Sequence, residues 1–139
     1  MMLTTVTERL GYAGLIPFVG CGLAVYLDIA DASGLFQLYS LVILAFMAGA
    51  CWGVVQAGSD APESSPQVWS IAICLWGVLA YFMPYALSLV MLLVAFLALL
   101  WLERSPLFQG AYSPSYKKLR LILTVVVSLM HMWVISITI

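Results

Sequence analysis

The sequence predicts an all-α fold, a polytopic helical membrane bundle of about five transmembrane helices with its N-terminus in and its C-terminus out, forming one membrane domain over residues 1–139. Three observations lead there. Hydrophobic residues make up 65% of the chain and charged residues only 8%. Mean hydropathy is +1.12, and the apolar residues come in long runs parted by short polar turns. A soluble domain has no way to cover that much apolar surface. In hydrocarbon the backbone must satisfy its own hydrogen bonds, and a helix does so internally. A net charge of −1 supplies no basic field, so nucleic acid is not an expected partner.

The first span is predicted at 10–30, with Thr5-Val6-Thr7-Glu8 at capping-box spacing ahead of it. Pro17 lies inside this span and predicts a kink, because its missing N–H frees a carbonyl one turn back, near Ala13. The run is too long for the apolar core of a leader peptide and Glu8 cancels Arg9, so a span is expected rather than a cleavable signal. Asp28, Asp31 and Gly34 then mark a short acidic turn. The second span, 36–58, carries no charge. In the polar loop after it, Ser65 is placed to cap a third helix with Pro66 in the first turn.

From Val68 to Leu102 no charged residue occurs. As one helix that stretch would measure about 52 Å against a core of ~30 Å. Pro84 is the natural break, giving a third span at 66–82 and a fourth at 84–102. Residues 103–120 form the largest polar segment, with Ser113-Pro114 as a helix start, and the last span is predicted at 121–139.

Orientation follows from the basic residues, which favour the cytoplasmic ends of spans. Four crossings separate Arg9 from Arg104, Lys117, Lys118 and Arg120, so all five share one side. The latter four are read as topology determinants and as contacts for lipid headgroups. Tyr81, Tyr85, Trp101, Tyr112 and Tyr116 fall near the predicted interfaces, where amphipathic rings are favoured.

Ala45, Gly49, Gly53 and Ala57 recur every four residues and lay one smooth stripe along the second span, a surface on which helix backbones approach closely. The stripe is expected to pack within the chain, with a partner or a second copy as the other reading. Gly11, Gly14, Gly20 and Gly22 give the first span a similar surface. His131 is the single histidine and sits within the fifth span, where a hydrogen bond to another helix is the expected role. The sharper alternative is a haem or copper ligand aided by Cys21, Cys51 or Cys74, but those cysteines lack metal-ligand spacing and read as small packing residues. Gln56 is expected to hydrogen-bond between helices, and Asp28 and Glu103, at span ends, to reach water.

Leu10-Gly-Tyr-Ala-Gly-Leu-Ile-Pro-Phe18, the run Gly49-Ala-Cys-Trp-Gly53, and Tyr116-Lys-Lys-Leu-Arg-Leu-Ile-Leu-Thr124 together resemble one family. It is the uncharacterised domain-of-unknown-function 3429 family, which includes transmembrane protein 69-like membrane proteins. The resemblance covers nearly the whole chain and implies a small multi-span protein of bacterial or mitochondrial membranes, with no established reaction attached. The family often carries His-Trp-Gly where this chain has Cys51-Trp52-Gly53, so no histidine role transfers to position 51.

No Ser-His-Asp set, paired carboxylates, HExxH or glycine-rich phosphate loop is present, so catalysis is not expected and no cofactor is implied. The expected function is that of an accessory, assembly or structural subunit acting through helix–helix contacts. Its expected partners are the lipid bilayer and another membrane protein or a second copy. The bacterial inner membrane is the first expectation for location, the mitochondrial inner membrane the second. A small transporter or channel working as an oligomer is the alternative, and a haem- or copper-binding membrane protein the second alternative.

Overall fold

The computed structural model describes residues 9–57, 64–104 and 114–138. Among them run five helices, α1 (Leu15–Tyr26), α2 (Ala32–Ala57), α3 (Ser64–Tyr81), α4 (Tyr85–Leu102) and α5 (Pro114–Thr138), with no strand. The stretches Arg9–Tyr26, Ala32–Val54, Tyr85–Leu102 and Pro114–Thr138 are long and apolar enough to cross a membrane, and α3 contributes a shorter apolar run, Val68–Tyr81. The expected cap at Thr5 and the loop tyrosine Tyr112 lie outside the described residues.

Helix covers 9–13, gives way to a turn at Gly14, and resumes as α1. Pro17 therefore falls in the first turn of α1, where an absent N–H costs least. The interruption lies at Gly14, three residues before the proline that predicted a kink. The Gly14 carbonyl accepts a hydrogen bond from the Tyr39 hydroxyl of α2 at 2.6 Å, so a neighbouring helix supplies the donor that lipid cannot. At its other end α1 stops at Tyr26, short of the predicted residue 30. The Asp28 N–H donates to the Val25 carbonyl at 3.1 Å and the Ile29 N–H to the Ala24 carbonyl at 3.0 Å, the paired bonds of a Schellman cap. Asp28 takes the left-handed conformation this needs, with φ 57°, and Asp31 repeats it at φ 65° just before α2. Aspartate tolerates that region better than most side chains, which explains the acidic turn in local terms.

The break at Pro84 is observed. Pro84 has φ −50° and ψ 147° at the N-cap of α4, and its carbonyl accepts the Ser88 N–H at 2.8 Å. The extended backbone on entering α4 turns the chain back on itself. The fifth helix begins at Pro114, the start that Ser113-Pro114 predicts, so it extends ahead of the span expected at 121–139, and Lys117, Lys118 and Arg120 are helical residues.

Each helix packs on its chain neighbours, α5 closes back on α1, and α2 meets α4 across the middle. Phe18, Phe36, Leu44, Leu89, Leu92, Phe96, Leu99 and Val134 are fully buried there, while Ile16, Phe46, Leu75 and Phe82 face outward as lipid-contacting side chains do. Close approach falls at glycines the stripe does not include. A Cβ on Gly77 of α3 would stand 2.6 Å from Leu44 of α2, and one on Gly11 would stand 2.8 Å from Leu119 of α5.

Candidate functional site

Glu103 caps the C-terminus of α4 and Arg120 lies in the second turn of α5. Neither reaches water or headgroups as expected. They are 5% and 3% exposed and form an ion pair with each other. The physical reason is that both flank the same α4–α5 connection, so packing α5 on α4 brings the opposite charges together as it desolvates them. An ion in low dielectric persists only when paired and hydrogen-bonded.

The pair is tied to α2 as well. Arg120 Nη2 donates to the Met47 carbonyl and to Cys51 Sγ, each at 3.4 Å. The Cys51 thiol donates to Glu103 Oε1 at 3.4 Å, and the guanidinium carbon lies 5.8 Å from the centre of the Tyr116 ring. Cys51 is fully buried and is thus part of a polar junction of α2, α4 and α5, not a plain packing residue. Cys21 and Cys74 are partly buried and free of disulfides. Of the other basic residues expected at the headgroups, Arg104 and Lys118 are exposed and Lys117 is half-buried.

Beside this junction a cleft of about 320 Å³ opens between the N-terminal segment, α2 and α5. Leu10, Gly11, Gly14 and Leu15 form one wall, Ile43, Phe46 and Met47 another. Tyr116, Leu119, Arg120, Leu123 and Val127 of α5 form the third. The lining is apolar except at the Tyr116 and Arg120 end.

His131 stands apart from both. Its ring is fully buried, with the centroids of Phe36, Phe18 and Phe96 at 5.2, 5.5 and 5.5 Å. Nδ1 lies 2.8 Å from the Val127 carbonyl one turn back, which places the proton on Nδ1. The hydrogen bond is within its own helix, not to another as expected. Nε2 has no hydrogen-bond partner among the described residues. Among those residues no group of three or more His, Cys, Asp or Glu is placed to hold a metal ion, and the three cysteines do not gather around His131.

Among the described residues, interhelical hydrogen bonding from an amide comes from Gln37 and not from Gln56. Gln37 Nε2 donates to Ser88 Oγ at 2.7 Å and to the Tyr81 carbonyl at 3.1 Å, joining α2 to the α3–α4 corner. Gln56 is exposed.

The small-residue stripe faces the other way from its first expectation. Gly49 and Gly53 are exposed, and a Cβ added at either would meet nothing within 4 Å. Ala45 is half-buried, and the Ala57 side chain lies outside the described residues. Among the described residues, nothing in the chain packs against Gly49 or Gly53. The helix faces they share are turned outward because α2 already spends its inward face on α1, α3 and α4.

No curated protein and no solved structure matches the chain. A family model described as a protein of unknown function, DUF3429, matches residues 4–136, and the chain belongs to that family.

Proposed function

We propose that this chain is an accessory or assembly subunit of a membrane complex, working through contact of α2 with a helix of another membrane protein or of a second copy. The observation that carries the reading is the outward aspect of Gly49 and Gly53. Glycine inside a helix costs about 1 kcal/mol relative to alanine. Nothing in the packing of the described residues calls for it at these two positions. A backbone meeting a backbone does call for it, since helices in lipid associate by close contact at small residues rather than by a hydrophobic drive. The N-in, C-out orientation puts the Glu103–Arg120 junction on the cytoplasmic side, and the bacterial inner membrane is the setting the family resemblance supports.

The test is native electrophoresis with crosslinking at endogenous expression. The chain should migrate in an assembly larger than itself, and Gly49→Leu with Gly53→Leu should release it while leaving its own thermal unfolding in mild detergent unchanged. A released monomer in the parent strain, or saturable solute flux in liposomes carrying the purified chain, overturns the reading.

A further inference from the structure

We propose that the cleft between the N-terminal segment, α2 and α5 seats one acyl chain of an anionic phospholipid whose headgroup lies at the Tyr116 and Arg120 end. Four observations point to that occupant. The cavity, about 320 Å³, is at the small end of the range for ligand sites and is apolar over most of its lining. Its polar side chains, Tyr116 and Arg120, sit together at one end, so the cavity is itself amphipathic along its length. From Tyr116 to Val127 α5 advances about 16 Å at ~1.5 Å per residue, close to half of a ~30 Å hydrocarbon core. The slot thus runs for one leaflet, from headgroup depth to the middle, as an acyl chain does. Phe46, which forms part of the rim, is 75% exposed, so the opening faces sideways into lipid rather than into water.

Charge selects the headgroup. Arg120 is already paired with Glu103, so it contributes hydrogen-bond donors and not net charge. Lys117 adjoins Tyr116 at the polar end of the cleft and forms no ion pair among the described residues, whereas Lys118 lies on the face of α5 that carries Leu129. Arg9 adjoins Leu10 on the opposite wall, next to Glu8, so the net attraction rests on Lys117. A basic residue near the membrane surface favours anionic lipid by roughly fivefold.

Native mass spectrometry of the full chain from nanodiscs of phosphatidylglycerol and phosphatidylcholine with identical acyl chains tests this. The expected result is one retained phosphatidylglycerol per chain. Leu123→Trp, which fills the slot, should remove it, while Leu129→Trp on the exposed side of the same helix should not. Lys117→Gln should lower the preference for phosphatidylglycerol by roughly fivefold, while Lys118→Gln on the opposite face should not; these changes keep the test decisive if Leu123→Trp fails to fold. Retention that is equal in Leu123→Trp and the parent, indifference to headgroup in the parent, or an adduct with the mass of a free fatty acid overturns the proposal.

Discussion

Replacing Arg120 with methionine should cost the protein about 3–5 kcal/mol, because it leaves the Glu103 carboxylate buried without its cation. The structure sets the size. Glu103 is 5% exposed, its ion-pair partner is removed outright, and the Cys51 thiol at 3.4 Å is a weak donor that does not replace a cation. Glu103→Leu should cost a similar amount by removing the carboxylate that balances the buried guanidinium. The double variant Glu103→Leu, Arg120→Met should recover most of the loss, since apolar residues of like volume replace a buried pair with little or no net penalty. Cys51→Ala, which removes one long hydrogen bond to each charge, should cost roughly 1 kcal/mol. The assay is unfolding in mild detergent, read by helical circular dichroism and tryptophan fluorescence, for the parent, both single variants and the double variant. Arg120→Met unfolding together with the parent, or a double variant no more stable than the sum of its singles, would refute the idea that the three helices are joined by a desolvated ion pair.

Three further outcomes are expected. Gly77→Leu and Gly11→Leu should each lower stability by about 1–3 kcal/mol, because a side chain there drives into Leu44 or Leu119, whereas Gly49→Leu should leave the isolated chain's unfolding unchanged; a melting series in detergent ranks them. His131→Phe should match or exceed the parent in stability, since it fits a ring among Phe18, Phe36 and Phe96 and removes a buried nitrogen with no partner among the described residues, while His131→Ala should cost about 2–4 kcal/mol through the cavity it leaves. Reporter fusions after Gly34, Ser64, Gly110 and Ile139 should read out, in, in and out; a non-cytoplasmic signal at Gly110 contradicts the orientation.

What composition and punctuation control was readable in advance. Long uncharged runs demand internally bonded helices, and Pro84 in a stretch too long for one crossing marks the corner that separates α3 from α4. Asp28 and Asp31 announced the turn that their left-handed backbone forms. What depends on which faces meet was not readable. Spacing of four identifies the smooth face of α2 but carries no information on whether the neighbour is α1, α3, α4 or a different molecule. Gly77 shares its face with the small residues Ser70, Cys74 and Ala80, a periodic signal weaker than the stripe of α2 because it holds a single glycine. Glu103 and Arg120 each looked like a solvated residue at a span end, and Arg120 was hidden within a basic run whose other members are partly or fully exposed. The available signal was their position on either side of one connection with opposite charge. Gln37 lies in the second span as Gln56 does, and sequence spacing does not say which of two amides meets a partner; the packing of α2 on the α3–α4 corner brings Ser88 and the Tyr81 carbonyl to Gln37.

The most direct measurement of the central claim is photo-crosslinking from α2 in the native membrane. A photoreactive side chain at position 53 should yield one discrete adduct with a membrane polypeptide, and the adduct should vanish when Gly49→Leu is added. The same probe at Leu75, on the outward face of α3, should yield only lipid adducts. Identical lipid-only labelling at positions 53 and 75, or an adduct at 53 that persists with Gly49→Leu, would contradict the account.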